Sequence, residues 1–167
     1  TGMEIVKGYV DHIVYRNQDN GYTVFQLENE EGEVTCVGTF PYIHEGEMLE
    51  VSGEYTSHSI YGEQLQVVKH EMLEPEDLVS IERYLGSGAI KGLGTVLAGR
   101  IVRRFKGDTF RIIEEEPERL AEVQGISERK AREIGIQVEE KKDMRKAMIY
   151  LQKYGITLAL SAKIYAY

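Results

Sequence analysis

Residues 88–105 read GAIKGLGTVLAGRIVRRF, and their chemistry is that of holding an anion. Gly92 and Gly94 flank Leu93, and a helical pattern starts at Thr95 and runs on through Arg100, Arg103 and Arg104. Glycine on either side frees the backbone, so that Leu93 can turn inward as an apolar plug. The amides of Leu93, Gly94 and Thr95 are then expected to face outward at a helix start, where unpaired N–H groups and the positive end of the helix dipole suit a phosphate. Ala98, one turn on, is small enough to let two helices approach closely. Lys91 and the arginines supply positive charge beside the bend.

Two other phosphate cradles do not fit. A Walker A loop needs a lysine directly before its Ser or Thr, which Gly94-Thr95 lacks. The dinucleotide fingerprint needs a third glycine where Leu97 stands and a strand ahead of the loop. What precedes is PEDLVSIERYLGSG, with Leu78, Ile81, Tyr84 and Leu85 at helical spacing, acidic residues first and glycines last. The spacing predicts helix, tight turn, helix.

The same turn recurs. GISERKAREI (125–134) aligns without a gap, 33 residues after GLGTVLAGRI (92–101): Gly125 matches Gly92, Ile126 matches Leu93, Ser127 matches Gly94, Ala131 matches Ala98 and Ile134 matches Ile101. A third copy, GITLALSAKI (155–164), follows 30 residues later, and the chain stops before that unit is complete, which predicts a piece of a longer protein. This is the helix-hairpin-helix pattern, whose units resemble one another in holding the DNA backbone without reading base sequence. On that resemblance the candidate DNA contacts are Lys91, Gly92, Leu93, Gly94, Thr95, Arg100, Arg103 and Arg104 in the first copy, and Gly125, Ile126, Ser127, Arg129 and Lys130 in the second. The third, with Lys163 alone, is expected to pack. A purely structural account stays open: a hairpin needs glycine in any case, and arginines on a helix are commonly a solvated face. For the second copy, preceded by Glu114, Glu115, Glu116 and Glu118, contact and packing stand level.

Ahead of these turns the chain reads differently. From about residue 5 to 70 short stretches of β-branched and aromatic residues alternate with polar ones between turn signals, predicting five strands. Asn20-Gly21 marks a hairpin, and Gly38 and Gly53 are positions where a small barrel could bend. Five antiparallel strands of this length are expected to close on themselves rather than expose two edges. The fold class is therefore α+β, a five-stranded OB-like β-barrel over residues 3–74 and an all-α tandem helix-hairpin-helix domain over 75–167, its third repeat truncated.

Charge divides at the same place. The chain carries −8, but residues 1–75 hold −11, whereas residues 83–113 set seven cations against Asp108 alone. That local excess suits a polyanion. The barrel's tyrosines could stack on bases, yet its charge repels a backbone, so core, cross-strand or docking roles are expected for them. Catalysis finds no foothold: His12, His44, His58 and His70 lack zinc spacing, Glu114–Glu116 is a charged surface run, and no Ser/His/Asp set can be picked out. No metal and no cofactor are expected in these residues. Cys36 stands alone in a strand, as a small core residue of a cytoplasmic protein, and no apolar run is long enough for a membrane.

GYVDHIVYRNQDNGYTVFQL followed by VGTFPYIHEGEMLEVSGEYTSHSIYGEQLQV resembles the opening of RecD-like ATP-dependent DNA helicases of bacteria (RecD/TraA family, YrrC type). YLGSGAIKGLGTVLAGRIV and ERLAEVQGISERKAREI are similar to that family's next segments, so the resemblance covers nearly the whole chain. It implies an OB-like barrel ahead of tandem helix-hairpin-helix units and a two-part motor that uses ATP and Mg. Unwinding in the 5′-to-3′ direction, as in the exodeoxyribonuclease V alpha subunit of repair and recombination, is thereby assigned to the parent protein and no enzyme activity to this piece. Partners implied are DNA, the motor of the parent chain and a repair protein met through the acidic barrel. Tyr55 and Leu65 replace expected bulkier aromatics, and Ser127 replaces a hairpin glycine. Two rivals fit in outline: a four-way-junction binder of the RuvA kind, and a protein-docking module of a repair complex.

Overall fold

The structure, a computed structural model, describes residues 2–153. The third copy of the turn, 155–164, lies outside the described residues. Contacts divide the chain between Glu74 and Pro75, and the second compact unit runs from Pro75 to Lys146.

The first unit is a closed five-stranded barrel in the order β1-β2-β3-β5-β4. β1 (Glu4–Arg16) is longer than alternation suggested, because it serves two neighbours: Glu4–Tyr9 pair with β4 (Met48–His58) and Tyr9–Arg16 with β2 (Tyr22–Asn29). β3 (Gly32–Thr39) meets β5 (Gly62–Leu73) in a parallel contact at Cys36 and Val37, which closes the barrel. Inward positions supply one core, led by Phe25, Phe40, Leu27, Leu49 and Leu65. Gly53 sits where β4 shifts register against β5, and a Cβ there would collide with the Gln66 carbonyl, so only glycine allows the strand to bend at that point.

The β1–β2 turn departs from the expected form. Only Gly21 takes a positive φ, +81°, while the Asn17 side chain accepts the Asp19 and Asn20 amides and Asn20 Oδ1 accepts that of Tyr22. Arg16 then ties the turn to the end of β3: its guanidinium donates to Thr23 Oγ1 at 2.7 Å, to Phe40 O at 3.0 Å and to Pro41 O at 3.3 Å. Cys36 is fully buried, and burial pushes its thiol up to about 12. It is core, not a nucleophile.

The second unit holds α1 (Leu78–Gly86), α2 (Thr95–Phe105), α3 (Thr109–Glu115) and the start of α4 (Glu128–Lys153), with 3-10 turns at Lys106–Asp108 and Pro117–Glu122. Asp77 caps α1 by accepting the Ser80 amide at 2.8 Å. Apolar residues recurring at helical spacing, from Ile81 and Leu85 to Ile134 and Val138, meet in one core. Among the described residues no helix is long and apolar enough to cross a membrane.

Candidate functional site

The first glycine turn follows from what its residues can bury. Ala89 and Ile90 go inward, Gly92 reverses the chain at φ +83°, and Leu93 returns to the core with 2% of its surface exposed. Burying a leucine contributes about 2 kcal/mol, and this anchors the bend. Gly94 then adopts an extended conformation as the N-cap of α2, and its carbonyl accepts the first helical bond from Ala98 at 2.9 Å. Having no side chain, Gly94 caps nothing. Gly92, Gly94, Thr95 and Val96 are all exposed, so the start of α2 presents uncapped amides to solvent. One expectation is corrected: the Leu93 N–H does not face outward but donates to Ile90 O at 3.3 Å, closing the turn. The available donors begin at Gly94.

The second turn repeats the first bond for bond. Gly125 has φ +96°, Ile126 is buried, its N–H donates to Val123 O at 3.1 Å, and the Ala131 N–H donates to Ser127 O at 2.8 Å. The replacement of Gly94 by Ser127 at the equivalent place matters here, because Ser127 Oγ accepts the Lys130 amide at 3.1 Å. This helix start satisfies one of its own donors.

The two bends lie against each other. A Cβ on Gly125 would stand 2.9 Å from Leu97 Cδ2 and 3.2 Å from an Arg100 guanidinium nitrogen, while one on Gly92 would stand 3.3 Å from Lys130 Cε. Leu97 and Lys130 are equivalent positions of the 33-residue repeat, so each copy covers the other's glycine. Gln137 clamps the Lys91 backbone, accepting its N–H at 2.7 Å and donating to its carbonyl at 3.0 Å. Arg100 donates to Gln124 O at 3.0 Å. Neither clamp shows in the sequence, since both partners are polar residues far along the chain.

The cations fall into two groups. Lys91 and Arg103 are exposed and have no ion-pair partner among the described residues, and the Arg103 guanidinium lies over Gly99. Lys106, Lys130 and Arg132 likewise have no ion-pair partner among the described residues, whereas Arg104 pairs with Glu122 at 2.6 Å, Arg111 with Glu116 at 3.0 Å, Arg129 with Glu133 at 3.1 Å, and Arg100 donates to the Gln124 carbonyl. Donating to Glu116 raises the pKa of the Arg111 guanidinium, and accepting from Arg119 lowers that of the Glu122 carboxyl. The positive field read from the sequence is therefore narrower than expected, because Glu122 and Glu116 pair with Arg104 and Arg111.

The chain thus carries a closed five-stranded barrel and, in its other unit, a bare helix start with Lys91 just ahead of it, and comparison with known proteins bears on both. Residues 3–75 match the family described as ATP-dependent DNA helicase YrrC, OB-fold domain. The barrel belongs to that OB-fold domain family. The ATP-dependent RecD2 DNA helicase of Deinococcus radiodurans is 31% identical over 162 residues, covering 92% of this chain and 22% of its own length. The likeness to this RecD-like helicase thus extends through both glycine turns, and the chain spans about a fifth of that relative. A solved asparaginyl-tRNA synthetase from Pyrococcus horikoshii is similar over 44% of this chain and 20% of its own, at 13% identity and TM-score 0.38, too remote to bear on function.

Proposed function

We propose that this chain is the non-catalytic N-terminal region of an ATP-dependent 5′-to-3′ DNA helicase of repair or recombination, and that its two glycine turns are helix-hairpin-helix units positioning DNA for the motor. ATP and Mg belong to that motor, outside these residues. The observation that carries the reading is the exposed start of α2, where Gly94 leaves the first-turn amides uncapped, with Lys91 ahead of it and Arg103 farther along the same helix over Gly99. A helix N-terminus with its dipole and free N–H groups takes one phosphate, and the two cations hold its neighbours. Contact of this kind fixes register and carries no base information. The second turn contributes less, since Ser127 occupies one donor and Arg129 is paired.

Fluorescence anisotropy with a labelled forked oligonucleotide tests this directly. Two to four phosphate contacts predict an affinity that is indifferent to sequence and falls about tenfold to a hundredfold between 50 and 200 mM salt. Lys91→Glu with Arg103→Glu should weaken binding about tenfold and flatten the salt dependence by about two contacts. An unchanged affinity in that double variant, or no binding at the lower salt, contradicts the proposal.

A further inference from the structure

A groove of about 400 Å³ opens on the barrel wall where β1, β2 and β3 meet the β4–β5 turn. Two pairs of rings line it: Tyr15 with Tyr22, centroids 6.1 Å apart, and His58 with Tyr61, 4.8 Å apart. None of these positions serves the barrel core, and Tyr15 and Tyr61 are 53% and 72% exposed. Their hydroxyls, like that of Tyr22, have no protein partner among the described residues. His58 Nδ1 accepts the Ile60 and Tyr61 amides at 3.1 and 3.2 Å, which leaves the ring proton on Nε2. Gln26 Oε1 accepts from Thr35 at 3.1 Å, so its amide nitrogen is left to donate. The groove thus offers ring faces and hydrogen-bond donors.

What it lacks is positive charge. No lysine or arginine lines it. Of the barrel's three cations, Lys7 pairs with Glu50 at 3.6 Å, Arg16 is spent on backbone carbonyls and Thr23, and only Lys69 is left. The exposed acids Asp19 and Glu63 lie three residues and one residue before the lining residues Tyr22 and Gln64 in the chain, within a barrel sequence of net −11. A nucleic-acid strand stacking here would bring phosphates to a net acidic barrel without the basic groove such binding needs. A polyproline segment brings the complementary set: carbonyls with no internal hydrogen bonds, rings that pack on aromatic faces, and little conformational entropy to lose.

We propose that this groove docks an extended, proline-containing segment of a protein partner, flanked by lysines or arginines that complement the acidic barrel. The probe is a fluorescein-labelled peptide with a Pro-Pro-Leu-Pro core and two lysines at each end, titrated into the full chain. It should bind, and Tyr61→Ala and Tyr15→Ala should each weaken it about tenfold with unchanged thermal melting, since both side chains are largely exposed. A peptide with glutamates at its ends should bind at least about tenfold more weakly. Failure of the basic peptide to bind, equal binding of the acidic one, or indifference to both variants overturns the proposal. So does an oligothymidylate whose binding is lost in Tyr61→Ala, which would make the groove a base-stacking site. Lys91→Glu with Arg103→Glu should leave the peptide untouched, so this test and that of DNA binding fail independently.

Discussion

Gly94→Asp is expected to stabilise the helical unit while cutting DNA affinity by about thirtyfold or more. The two effects have one cause. Gly94 is an N-cap in extended backbone, at φ −96° and ψ −174°, and a Cβ there meets nothing within 4 Å, so aspartate fits without strain. Its carboxylate would accept a first-turn amide and sit at the positive end of the α2 dipole, stabilising by about 0.5 to 1 kcal/mol. The same carboxylate would occupy the place of the phosphate, removing one or two charge-assisted hydrogen bonds worth about 1.5 kcal/mol each and adding like-charge repulsion. Stability and binding therefore move in opposite directions. A glycine needed only to make the turn gives the other pattern, in which a stabilising substitution leaves binding alone. Urea unfolding and anisotropy on one preparation separate the two, and unchanged affinity in a more stable Gly94→Asp would remove the bend from the DNA interface. Gly94→Ala is the control: it adds no charge and no acceptor, so affinity should stay within about twofold.

Ser127 is this experiment already half performed in the second copy. Its hydroxyl takes the Lys130 amide, as the aspartate would take one at α2, but it carries no charge. In the proposed function, this asymmetry makes the first turn the principal contact and the second chiefly the support that holds it. Leu97 and Arg100 press on Gly125, Lys130 presses on Gly92, and Gln137 pins the Lys91 backbone. Such support keeps a helix start oriented in the absence of ligand, which lowers the ordering cost of binding.

How much of this the sequence showed depends on whether the signal was local. Glycine, a buried aliphatic and an alanine four residues beyond the N-cap specify the turn by themselves, so both bends stand where the repeat places them, with Leu93 and Ile126 buried. Strand alternation located five strands, and closure followed from the cost of open edges. What escaped were interactions decided between distant segments. The longer β1 shows no alternation of its own in Glu4–Lys7, since its pairing is with β4, more than 40 residues away. The local charge excess counted arginines without their partners, yet Arg104 reaches Glu122 across 18 residues. The outward Leu93 amide was misjudged for a different reason: an inward side chain says nothing about its own N–H, which here closes a turn on Ile90.

A last expectation concerns the barrel and its dependence on pH. His70, on β5, stacks against Phe40 with ring centroids 4.5 Å apart, and burial pulls its pKa down from 6.5 to about 4. Above pH 6.5 the imidazole is neutral in both folded and unfolded chains and contributes no pH dependence. Below that value the unfolded chain takes up a proton that the folded barrel refuses until about pH 4, so stability falls through this window and levels off beneath it. The gap between the two values corresponds to about 3 kcal/mol, of which about 2 is gone by pH 5, before most carboxylates have titrated. Unfolding by urea at pH 7.5 and pH 5 measures the loss, and His70→Phe, which keeps a ring against Phe40 without a titratable group, should abolish that part of it. A wild-type slope retained in His70→Phe would assign the acid sensitivity to other groups. The loss bears on function because the β1–β2 turn is held through the same neighbourhood: Arg16 donates to the carbonyl of Phe40, the ring on which His70 stacks. Protonating His70 should therefore loosen the Tyr22 wall of the groove before the barrel as a whole unfolds, and peptide affinity should begin to fall at a higher pH than the unfolding transition does.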